Sequence, residues 1–194
     1  PDLANTGPFS DLGGHWAERW IRPLVAARAI AGFADGTFRP DQIVTRGQLA
    51  AHLVQAFGPL TSKRSAPQFS DVPPTALEAP AIAQVYEAAF LAGKSATLFG
   101  PNDPVTRLQL AIALSSGLDW PDADAGWLNG LDDRDRLPTW ARNRIAGVVA
   151  QGLRWSQPSV HQFAPDRPLS RADLAVALHQ ALVVSGRLTP IDLA

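Results

Sequence analysis

Gly32-Phe33-Ala34-Asp35-Gly36-Thr37-Phe38-Arg39-Pro40, followed shortly by Val44-Thr45-Arg46-Gly47-Gln48, decides how this chain folds. Asp35-Gly36 is a strong turn signal and breaks whatever precedes it. The turn delivers Phe38 toward an interior, and Pro40 bars a helix from resuming at once. Gly32 marks a positive φ angle or a close backbone approach. Thr45 and Gln48 then read as a capping box: the threonine hydroxyl takes a backbone N–H at the start of a new helix, and the glutamine reaches back. Working outward, Trp16, Trp20, Ile21, Leu24 and Val25 form one apolar stripe at helical spacing, and Leu49, Leu53, Val54 and Phe57 form another. The unit is helix, loop, helix.

The same punctuation returns twice. Thr45-Arg46 recurs as Thr106-Arg107 and Ser170-Arg171, each preceded by Phe-x-Pro: Phe38-Arg39-Pro40, Phe99-Gly100-Pro101 and Phe163-Ala164-Pro165. Each unit opens alike, at Phe9-Ser10-Asp11, Phe69-Ser70-Asp71 and, more loosely, Leu131-Asp132-Asp133. Ile82, Val85, Tyr86 and Ala89, then Leu110 and Leu114, are the stripes of the second unit. Ile145, Val148, Val149 and Gly152, then Leu174, Leu178 and Leu182, are those of the third. A recurrence at about sixty residues signals a repeat architecture. One helix pair cannot bury its apolar faces alone, so three should share one core. The expected class is all-α, with units at 9–58, 68–118 and 131–185. The joints at Pro59–Pro67 and Asp119–Gly130 read as linkers; the second is acidic and holds Trp120 and Trp127.

The chain has 194 residues, 46% hydrophobic and 18% charged, with a net charge of −1. That is an ordinary folded composition. It lacks the basic surplus expected of a nucleic-acid binder, so no nucleic acid is expected as partner. With no cysteine there are no disulfides, thiolate metal sites or cysteine nucleophiles. No apolar run reaches the ~20 residues that span a bilayer. The chain opens on Pro1 rather than Met and shows no signal peptide, so an exported protein would have had its leader removed.

Phe9-Ser10-Asp11, His15-Trp16-Ala17, the Gly32–Pro40 stretch and Val44–Gln48 together resemble the S-layer homology repeat, most closely in the first unit. That repeat's hallmarks are Phe-x-Asp, His-Trp-Ala, Gly-Tyr-x-Asp-Gly-Thr-Phe-x-Pro and Ile-Thr-Arg-Ala-Glu. The resemblance implies a pseudo-threefold helical bundle whose inter-repeat grooves bind a secondary cell-wall polysaccharide, often with pyruvylated sugars. It implicates the arginine of each Thr-Arg motif in binding. It also implies an extracytoplasmic place in the bacterial cell envelope, and a cargo domain in the full-length protein. The third unit, with Leu137-Pro138-Thr139-Trp140-Ala141 and Ser156-Gln157-Pro158, resembles the last repeat of cyanobacterial versions. In that lineage such modules tie outer-membrane proteins to the wall from the periplasm.

Departures are visible. Ser95-Ala96-Thr97-Leu98 replaces the Asp-Gly-Thr loop in the second unit, and Leu77-Glu78 stands where His-Trp-Ala is expected. The third unit has a longer Trp155–Gln162 segment. The last motif glutamate is Gln48, Gln109 and Asp173. The three grooves are therefore not expected to be equivalent.

The chemistry supports two readings of the arginines. Thr45, Thr106 and Ser170 cap their helices, placing Arg46, Arg107 and Arg171 at the first helical position. A helix start carries spare N–H donors and partial positive charge, and a guanidinium adds a planar fork for a carboxylate such as a pyruvyl ketal. In the binding reading Arg46, Arg107, Arg171, Thr45, Thr106, Ser170, Trp16, Trp140, Asp11 and Asp71 are the expected ligand-site residues; alternatively each arginine pairs with Asp11, Asp71 or Asp133 and pins two units together. Trp16 and Trp140, near the starts of the first helices, could stack on sugar rings or pack in the core. Trp20 reads as core. Trp120 and Trp127 read as a cover under the linker.

Enzyme signals are weak. His15, His52, His161 and His179 show no metal-ligand spacing, and there is no Gly-x-Ser-x-Gly elbow or phosphate loop. Asp132, Asp133 and Asp135 are interleaved with Arg134 and Arg136, as in a solvated loop. The chain is expected to be no enzyme and to need no cofactor. Two functions remain: a polysaccharide-binding wall anchor, and a protein-interaction or self-assembly module without sugar binding.

Overall fold

A computed structural model describes residues 9–155, 157 and 159–191. Of the motif Ser156-Gln157-Pro158, Ser156 and Pro158 lie outside the described residues. Six helices follow one another: α1 (Glu18–Ala26), α2 (Arg46–Phe57), α3 (Ala79–Glu87), α4 (Arg107–Gly117), α5 (Arg142–Ala150) and α6 (Arg171–Val184). Three short 3-10 turns, Ala125–Leu128, Arg134–Arg136 and Thr139–Ala141, fill the joint before α5. Among the described residues the only strand-like pairing is three isolated bridges, so the fold is all-α.

The even-numbered helices start where the capping boxes place them. Thr45, Thr106 and Ser170 each accept from the backbone N–H three residues on, and Gln48, Gln109 and Asp173 each return a side-chain oxygen. The expected stripes are the buried faces: Ile21, Leu24 and Val25 on α1, and Leu174, Leu178 and Leu182 on α6. Ala89 and Gly152, read as helical, fall just past the ends of α3 and α5.

Within this frame the first helix of each unit packs against the second helix of another: α3 on α2, α5 on α4, and α1 on α6. The segments leading into α2, α4 and α6 meet at the centre. There Val44 N–H donates to Leu169 O at 2.9 Å, Leu169 N–H to Val105 O at 2.8 Å, and Val105 N–H to Val44 O at 3.0 Å. Three buried residues thus close a ring of backbone bonds, which stops their peptide groups from being stranded in an apolar interior. One continuous core surrounds the ring.

Each opening aspartate builds the loop that follows its first helix. Asp11 accepts from the N–H of Phe38 and Arg39, Asp71 from Phe99 and Gly100, and Asp133 from Phe163 and Ala164, all at 2.7–2.9 Å. The second residue of each pair is left-handed, at φ 57°, 75° and 51° respectively. Only Gly100 adopts that conformation without steric cost, so at Arg39 and Ala164 the carboxylate offsets a strained backbone. The three loop phenylalanines are driven fully inside. Gly32 is explained by close approach: a Cβ there would lie 2.0 Å from the Phe9 ring and 2.7 Å from Thr37 O.

Candidate functional site at the seams between units

The three motif arginines cross the seams. Arg46 donates from Nε to Phe99 O at 2.9 Å and from Nη2 to Ala92 O at 2.7 Å. Arg171 donates from Nε to Phe38 O and from Nη2 to Ala31 O, both at 2.8 Å, and from Nη1 to His52 Nε2 at 3.0 Å. Arg107 reaches Phe163 O and Gln157 O, and ion-pairs with Asp173 at 2.7 Å. Arg46 and Arg171 lie over the faces of Phe99 and Phe38, each 4.5 Å from the ring centroid, and Arg107 over Trp155 at 4.7 Å. Every loop phenylalanine therefore has its N–H held by its own unit's aspartate and its carbonyl by another unit's arginine.

This changes the expected electrostatics in two ways. First, Asp11, Asp71 and Asp133 are not the arginines' partners, because their oxygens are spent on backbone N–H groups. Burial raises the Asp71 pKa, but its two loop bonds outweigh that and hold the carboxyl below its ordinary value. Second, the helix starts have few donors left for a ligand. Arg46 N–H donates to Asp103 O and Gly47 N–H to Pro101 O; Arg107 and Leu108 donate to Arg167 and Pro165; Arg171 and Ala172 donate to Gln42 and Pro40. The capping hydroxyls take the next N–H of each helix.

The arginines themselves are 8%, 0% and 6% exposed for Arg46, Arg107 and Arg171. Burial pulls all three below the usual guanidinium range, Arg171 to about 10, so all stay charged at neutral pH. They differ in compensation. Asp173, itself 1% exposed, neutralises Arg107. Among the described residues Arg46 and Arg171 have no carboxylate within ion-pair distance. In the sequence Asp173 stands at the motif position of Gln48 and Gln109; an acid there was the signal for this second role.

An open groove of about 250 Å³ lies at the seam between the first two units. Thr45, Gln48, Asp71, Glu78 and Asn102 supply its polar lining. It gathers two expected site residues, Thr45 and Asp71, while Arg46 is not part of its lining. Glu78 lies beside the α2 start, with Cγ 3.4 Å from where a Cβ on Gly47 would stand. The protein thus supplies its own carboxylate at that helix end, where negative charge is favourable.

The tryptophans divide. Trp140 is 73% exposed, whereas Trp16 is half-buried, packed on the core and beside the His15 ring at 5.4 Å. Trp120 is buried as expected, but Trp127 is 54% exposed and covers little. Trp20 packs on the core, edge-on to His179. Among the described residues no helix is long and apolar enough to cross a membrane.

Helix pairs joined through capped Thr-Arg or Ser-Arg starts, with loops pinned by an opening aspartate, recur along the chain. The S-layer homology domain model matches residues 8–50 and 68–111, so these two stretches are S-layer homology repeats. The chain is 28% identical over 92% of its length to the Surface-layer 125 kDa protein of Lysinibacillus sphaericus, covering 15% of that protein. It is 27% identical over 90% of its length to S-layer protein EA1 of Bacillus anthracis, covering 20% of it. A 67-residue stretch, 34% of the chain, is 38% identical to 14% of the Cellulosome-anchoring protein of Acetivibrio thermocellus. The chain thus spans a fifth or less of these relatives.

Proposed function

We propose that this chain is a non-covalent anchoring module that holds its parent protein to a cell-wall polysaccharide in the bacterial envelope. The observation that carries this reading is the seam groove: Thr45, Gln48, Asp71 and Asn102 offer sugar hydroxyls both donors and acceptors. The surface-layer and anchoring relatives support it. The third unit, with Asp133, Phe163 and Arg171 in the same roles, is read as a third repeat, giving a pseudo-threefold module. The polymer is an acidic one, as a pyruvylated sugar would make it. In this reading Thr106, Ser170, Trp16 and Trp140 contribute at the other two seams. The module does no chemistry itself; cargo carried elsewhere in the full-length protein would supply any activity.

The seam arginines act from beneath. They fix the groove walls, and Arg46 and Arg171 leave positive charge that no carboxylate at ion-pair distance cancels. Arg107, matched by Asp173, is the one whose seam should contribute least to holding an acid.

Sedimentation with purified walls tests the proposal. The arms are untreated walls, protease-treated walls and walls stripped of attached polysaccharide. Wild type should pellet with the first two only, and Asn102→Ala should pellet less while melting normally. Pelleting that is lost on protease treatment and survives polysaccharide removal would replace this reading with a protein-interaction module.

A further inference from the structure

The seam arginines are buried and the groove between the first two units has no guanidinium in its lining, so their charge acts there only at a distance. We propose that a pocket on the third unit, lined by Arg134, Arg142 and Asn129, is a separate subsite for the carboxylate of an acidic glycan. The proposal rests on the anchoring reading only for the source of that glycan.

The pocket has a volume of about 350 Å³ and is completed by Gly126, Leu128 and Asp135. Its two guanidiniums are the loosely compensated ones in this region. Arg134 donates from Nη1 to Asn129 Oδ1 at 2.6 Å and has no carboxylate within ion-pair distance among the described residues. Arg142 donates from Nε to Leu137 O at 3.3 Å, and its carboxylate contact is Asp135 at 3.9 Å. Asp135 is 87% exposed, so solvent screens that contact and leaves most of the charge available. The neighbouring arginines are matched: Arg136 with Asp166 at 3.1 Å, and Arg144 with Asp122 at 2.8 Å.

A second observation makes the charge specific to this unit. A corresponding groove in the second unit is lined by Val72, Pro73, Ala79 and Ile82, with no charged residue. Counted from the opening aspartates, Val72 and Pro73 stand where Arg134 and Asp135 stand. The third unit has placed two guanidinium forks in a site that carries no charge in the second unit. Two forks facing one pocket suit a planar carboxylate, which can accept from both. Trp127, between the lining residues Gly126 and Leu128, adds an exposed indole to the same turn.

Isothermal titration with hexagalacturonate, and with maltohexaose as the neutral control, tests this. Wild type should bind the acidic oligomer saturably and the neutral one not at all. Affinity should fall as salt rises, because these charges are solvent-accessible. Arg134→Gln with Arg142→Gln should weaken binding by about tenfold or more with an unchanged melting temperature, and Asp135→Asn should tighten it. No binding of hexagalacturonate, equal binding of maltohexaose, or an unaffected double variant would overturn the site. Wall pelleting separates the two proposals. If wild type pellets with polysaccharide while hexagalacturonate fails, anchoring stands and this subsite falls. If hexagalacturonate binds as described but walls are ignored, the subsite stands and anchoring falls.

Discussion

Among single residues, the arginines look alike in sequence and differ in what they leave behind when removed. Arg107→Ala would strand Asp173 as a buried charge, since Arg167 reaches it only at 3.9 Å. Such a loss costs about 3–5 kcal/mol. Arg46→Ala strands only carbonyls and should cost less. Urea unfolding of the two variants checks this order, and Arg107→Met combined with Asp173→Asn should recover part of the larger loss. His52 gives a pH signature. Burial, then the adjacent Arg171, push its imidazole from 6.5 to about 3. Between those values the unfolded chain holds a proton that the folded chain does not, so stability falls as pH drops from about 6.5 toward 3. His52→Gln should flatten that decline between pH 6.5 and 5 in urea midpoints. A remainder comes from His179, whose pKa burial also lowers. Below pH 4 the loss of Asp35, held at about 2 by Thr37 and Arg39, adds to it.

Among elements, the helix starts were the most legible feature. Thr45, Thr106 and Ser170 announce their caps through local spacing alone, and the cap forms locally. Thr106→Ala should cost about 1 kcal/mol, read as a lower urea midpoint by circular dichroism. The apolar stripes were equally readable because helical period is a local property. What the arginines and aspartates touch was not readable, because Arg46 and Phe99 meet through a register between units that no local pattern encodes. Pairing of the opening aspartates with the arginines was one of two readings that charge allowed; the two backbone N–H groups of a left-handed turn are their partners instead. Glu78 was legible as a departure from the motif, but its place beside the α2 start was not, since that too lies across a seam.

For the molecule as a whole, every unit lends its second helix to another unit's first helix and its arginine to another unit's loop. Removing α6 would uncover α1 and free Phe38 O and Ala31 O together. Calorimetry should therefore show one transition, with the calorimetric and van't Hoff enthalpies equal. A chain ending before Arg171 should show no cooperative transition, rather than a smaller one from two surviving units.

The bond from Arg171 to Phe38 joins residues 133 apart in the chain. It sets a timetable for the newborn protein. Of the three loops, the first to be synthesised is the last to be finished, because its carbonyl waits for a guanidinium made 133 residues later. Until then Phe38 and the inner face of α1 lack their final cover, and closure over so long a span is slow. A protease or chaperone that meets the growing chain would find its handle on the first unit, and the handle would disappear only when α6 docks.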